Sequence, residues 1–147
     1  MRPLIQKHER GQAMVEFALA ITILIVLLMG VFDLGRGIFE YNGVSQAARE
    51  IARTTSVHPG IALGASQQTA TTIAVQRGLL PAMQNPTFEC VDIDGSAVVA
   101  STCPSGMYVR VTVTAVYKPA LILGIGGTTI TLKSVSSIQI PRSKGTS

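Results

Sequence analysis

Phe17 to Phe32 reads FALAITILIVLLMGVF, sixteen consecutive residues without a charge. Counting back to Ala13 lengthens the stretch to twenty, interrupted only by Glu16. At 1.5 Å per residue, twenty residues make about 30 Å of helix, the thickness of the hydrocarbon core of a bilayer. Thr22 is tolerated there because its hydroxyl can bond a carbonyl one turn back. The stretch reads as a single transmembrane helix. A secretory signal peptide, the competing reading, needs small residues three and one positions before a cut just past the apolar run. Gly35 and Gly37 fit loosely, but Arg36 stands between them and the run is long for such a peptide.

On the N-terminal side, Arg2, Lys7 and Arg10 outweigh Glu9. The positive-inside rule then keeps the N-terminus cytoplasmic and places everything after the helix outside the cytoplasm. Glu16 is the oddity, because a carboxylate inside a membrane helix is costly and by default marks function or a partner. Gly11 stands five residues before it, after a short basic leader. That arrangement resembles a prepilin-peptidase site, cut after Gly11 to leave Gln12 as the new N-terminus. Glycine lets a protease approach the backbone closely. In low dielectric, Glu16 could neutralise the new cationic amine of a neighbouring subunit.

On the C-terminal side, Leu34, Ile38, Tyr41, Ala48 and Ala52 recur at helical steps, so the helix is expected to continue with one apolar face to about Thr55. From Ala13 that is on the order of 65 Å. Asp33 and Arg36 fall at headgroup level and read as an interfacial charge pair, with Arg36 able to snorkel. Arg36 and Glu40 form an i,i+4 pair. His58-Pro59-Gly60 ends the helix, and His58 reads as a turn residue.

A second helix is expected over Ile61 to Leu80, stopped by Gly78 and Pro81. Beyond Asn85-Pro86 the period changes to two. Thr87–Asp92 and Ala97–Thr102 flank Asp94-Gly95, a hairpin signal. Tyr108 to Tyr117, YVRVTVTAVY, alternates cleanly, with Val109, Val111, Val113, Ala115 and Tyr117 on one face. Thr128 to Ile140 repeats the pattern, placing Ile130, Leu132, Ile138 and Ile140 inward. The fold class is α+β, with a long N-terminal helix, a second helix and a small antiparallel sheet. Pro119 to Gly127 is an apolar loop, read as folding back on the sheet or helix, or else as an exposed contact surface.

The whole chain of 147 residues carries a net charge of +4 with only 14% charged side chains. The excess sits in the leader and in Arg142 and Lys144; between them acidic and basic residues balance. With no basic stripe and no tryptophan, nucleic-acid binding is not expected. No Ser/His/Asp set, metal-ligand cluster or nucleotide loop stands out, and His8 and His58 are the only histidines. Neither catalysis, a small-molecule substrate, a cofactor nor a metal is expected. Cys90 and Cys103, both in the extracytoplasmic part, are expected to form a disulfide closing a loop of about 14 residues.

The segment from Arg10 to Arg53 resembles the TadE-like family, pseudopilin-type components of Tad (tight-adherence, type IVc) pilus systems. The resemblance rests on Arg10-Gly11-Gln12, Val15-Glu16-Phe17-Ala18, Asp33-Leu34-Gly35-Arg36, Asn42, and Ala47-Ala48-Arg49-Glu50 with Ala52-Arg53. The family usually has glycine where this chain has Ile51. The resemblance implies a non-catalytic pseudopilin or minor pilin, pilin-like in fold. Expected partners are the bilayer, a major pilin and other pseudopilins, a prepilin peptidase and the pilus assembly platform. The expected organisation is a leader (1–11), a membrane helix (12–33), its extracytoplasmic continuation (34–57), a head (58–141) and a basic tail (142–147). That places the chain in the cytoplasmic membrane with a periplasmic or extracellular head. A permanently anchored binding or adhesion module with an uncleaved signal anchor is the alternative.

Overall fold

The computed structural model describes residues 6–119 and 129–142. The expected loop at Pro119–Gly127 lies outside the described residues apart from Pro119, and the tail beyond Arg142 lies outside them as well. Helix α1 runs unbroken over Gln6–Ser56, longer at the N-terminal end than expected. Its end is held by side chains bonding the last carbonyls. Thr55 Oγ1 donates to Ile51 O at 2.8 Å, and His58 Nδ1 lies 2.8 Å from Thr54 O. His58 is thus a turn residue that closes the helix.

Helix α2 spans Gln67–Leu79, starting later than the periodicity suggested. Ser66 decides the start, because its hydroxyl accepts from Thr69 N at 3.1 Å and caps the helix. The same hydroxyl lies 2.7 Å from Thr69 Oγ1, which in turn lies 3.4 Å from Thr55 Oγ1. These hydroxyls are buried, and their mutual bonding lets two helix ends meet without stranding a polar atom. Leu80 follows as the C-cap, and it presses on Gly43 of α1. A Cβ built at Gly43 would sit 2.8 Å from Leu80 Cδ2, so glycine there allows the close approach.

The sheet holds β1 (Thr87–Val91), β2 (Ala97–Val98), β3 (Tyr108–Tyr117) and β4 (Ile130–Gln139) in the order β2-β1-β3-β4. Every pairing is antiparallel. The hairpin forms around Asp92–Ser96, with Gly95 at φ +80°, but β2 is only two residues long. The chain leaves the sheet after Val98 because Cys103 must return to Cys90; the disulfide spans 5.4 Å between Cα atoms. On the other strand edge, Met83 bridges to Ala115 and extends the flank of β3 beyond the end of β1.

Helix α1 packs on one face of the sheet, and the other face is largely polar. Val109, Val111, Val113, Ala115 and Tyr117 are all buried, as the alternation requires. The facing stripe of α1 is built from Val44, Ala47, Ala48, Ile51 and Ala52, every one fully buried. These residues are mostly small, so the helix approaches β3 and β4 closely. The opposed positions of β4, Ser134 and Ser136, are small for the same reason. Ile51 and Ile140 are the largest wholly buried side chains among the described residues, so the Ile51 side chain is part of the core. Ile140 is buried as expected, Leu132 and Ile138 are half-buried, and Ile130 stays exposed at the lower end.

The residues of the expected apolar face of α1 fall into two settings. Leu34, Ile38 and Tyr41 are 66%, 54% and 50% exposed, while Ala48 and Ala52 are buried. The helix turns Gly37 and Val44, not these residues, toward the sheet. Only the upper part of that apolar face serves the core.

Candidate assembly surface

Gly11, Gln12 and Glu16 lie on exposed turns of α1. A Cβ added at Gly11 would meet nothing within 4 Å, so the backbone there is open to approach. Five residues separate Gly11 from Glu16, a rise of about 7.5 Å. Among the described residues, none bonds the Glu16 carboxylate. Further along, Thr22 Oγ1 donates to Ala18 O at 2.7 Å, which satisfies the hydroxyl within the apolar run. Between Gly11 and Ser56 lies the one described helix long and apolar enough to cross a membrane, and its most apolar window has no protein cover.

A second cluster forms where that run ends. Tyr117, the last inward residue of β3, donates its hydroxyl to the Asp33 carbonyl at 2.7 Å. Its ring packs over Gly37, where a Cβ would lie 3.4 Å from Cε1. The Arg36 guanidinium stands 6.0 Å from the ring centroid and pairs with Glu40 at 3.3 Å, the expected i,i+4 partner. Burial, and then the nearby Asp33 carboxylate, push the Tyr117 phenol above its ordinary value. Asp33 and Arg36 are therefore brought to one cluster, whose centre is a tyrosine that the sequence marked only as an inward strand residue. The available signal was its position: a buried phenol at a strand end must find an acceptor.

Around this clamp, an apolar groove of about 460 Å³ opens between α1 and the end of the sheet. Higher up, a wide polar cleft between α1 and α2 is lined by Gln46, Arg49, Glu50, Gln67 and Gln76 among others. Among the described residues there is no group of three His, Cys, Asp or Glu side chains placed to hold a metal ion. Cys90 and Cys103 are joined to each other, so neither offers a thiol.

This is the architecture of a pilin-like α+β subunit: one long, apolar N-terminal helix with a small antiparallel sheet packed on its distal half. Residues 11–53 match the family described as TadE-like protein. The matched stretch begins at Gly11 and takes in Glu16, the apolar run, the Asp33–Arg36 cluster and the buried stripe of α1. No curated protein and no solved structure matches the chain.

Proposed function

We propose that this chain is a non-catalytic, membrane-anchored pseudopilin or minor pilin acting in Tad-type pilus biogenesis. The observation that supports it is the TadE-like match lying wholly on α1, with Gly11 at its first residue and, five residues on, Glu16, whose carboxylate no described residue bonds. In this reading residues 1–11 are a cytoplasmic leader, 12–33 cross the membrane and 34–57 continue outside. The head (58–141) faces the periplasm or exterior, followed by the basic tail (142–147). A prepilin peptidase cuts after Gly11 and frees the Gln12 amine. Glu16 then pairs with the amine of a neighbouring subunit, such as a major pilin or another pseudopilin, while the assembly platform draws helices together. The carboxylate tolerates its apolar setting once such a cation neutralises it.

N-terminal sequencing of membrane-extracted protein is expected to start at Gln12, and Gly11→Ala is expected to retain the leader. Glu16→Gln should insert and be processed normally yet fail to support piliation. A retained Met1 together with a functional Gly11→Ala variant would instead establish an uncleaved anchor. Normal piliation in Glu16→Gln would remove the carboxylate from assembly.

A further inference from the structure

The apolar groove around the Tyr117 clamp sits at a height that identifies its surroundings. A hydrocarbon core of about 30 Å takes roughly twenty residues of helix. Counted from Ala13 the core ends at Phe32; counted from Phe17, the first residue past Glu16, it ends at Arg36. The headgroup layer adds about 6 Å, or roughly four more residues. The helical wall of the groove begins at Gly30 and ends at Tyr41. Under either count the groove starts inside the hydrocarbon and runs through the headgroups.

Its chemistry matches that height. Leu34, Ile38 and Tyr41 form one wall, and Tyr117, Pro119 and Ile130 stand across from them. The side chains of α1 from Met14 to Phe32 are uncovered and apolar apart from Glu16 and Thr22, and Leu34 and Ile38 continue that surface into the groove. Near the rim, Arg36 is exposed and ion-paired with Glu40, and the exposed Lys118, next to Tyr117 in the chain, adds a further cation near the level of lipid phosphates. Tyr41 and Tyr117 are amphipathic rings of the kind that favour that interface. We propose that the groove is a lipid-contacting surface: the lower edge of the head is seated in the outer leaflet, and a phospholipid acyl chain fills the groove. The proposal rests on α1 being a membrane span.

The chain has no tryptophan, so one introduced indole reports one place. Full-length protein is reconstituted in phosphatidylethanolamine/phosphatidylglycerol vesicles containing lipid brominated along the acyl chain. Emission from Ile38→Trp and from Ile130→Trp is expected to be quenched, as is that from Leu24→Trp in mid-span. Val135→Trp, on the outer face of β4, should keep its emission. Quenching of Leu24→Trp alone overturns the groove proposal and leaves the span standing. Loss at none of the three apolar positions removes the span, and the proposal with it. Protection of Ile38→Trp and Ile130→Trp that vanishes as lipid is added in excess identifies a second copy as occupant. Protection that persists identifies another part of the same chain. Either outcome overturns the proposal. Ile38 lies on α1 alone, so its result stands even if the Ile130 variant disturbs the sheet.

Discussion

Gly64 lies at φ +77°, and a Cβ there would come within 2.6 Å of the Phe88 ring. Alanine would therefore face both a disfavoured backbone region and overpacking, a cost of about 2–4 kcal/mol. Thermal unfolding of the Gly64→Ala chain in detergent should show the lower midpoint. Tyr117 acts differently, through a proton. Its phenol titrates above the ordinary value of 10.0, so the neutral, donating form is favoured in the folded state. The stability it contributes is fully present below the unfolded phenol value and is lost as pH rises through the raised folded one. Wild type should thus exceed Tyr117→Phe by about 1 kcal/mol at neutral pH, the worth of one hydrogen bond. The gap should close in strong alkali, followed by unfolding at a series of pH values. Gly64 was not legible as a close-approach site, because the ring that meets it lies far along the chain.

At the scale of elements, β3 was readable because every second residue is apolar and all of those face one helix layer. The disulfide was readable for a different reason: the sequence holds two cysteines, both expected outside the cytoplasm, and they have only each other to pair with. Helix α2 was located but its start was misjudged, since Ser66 and Thr69 carry the capping information and apolar spacing does not. The lower face of α1 was the least legible part. Lipid and protein core ask for the same apolar letters, and only the packed sheet tells them apart. The bridge itself ties β1 to the loop that returns into β3. Replacing both Cys90 and Cys103 by serine should cost about 3 kcal/mol in the chain-entropy description. Denaturant unfolding of that variant beside wild type would measure it, and an unchanged midpoint would show that the loop is already ordered without the bridge.

On the scale of the whole molecule, anchor and core scaffold are one continuous helix. The sheet's lower end meets α1 near Gly37, through Tyr117, and its upper end reaches Ile140 near Thr55. β4 therefore runs alongside α1 in the same direction, strand and helix lying lengthwise against each other. A pull on the anchor along its axis does not peel the head away one contact at a time. It loads the α1–sheet interface in shear, where Val44, Ala47, Ala48, Ile51 and Ala52 must all slip together. Under such a load the head keeps its fold for as long as that buried stripe holds.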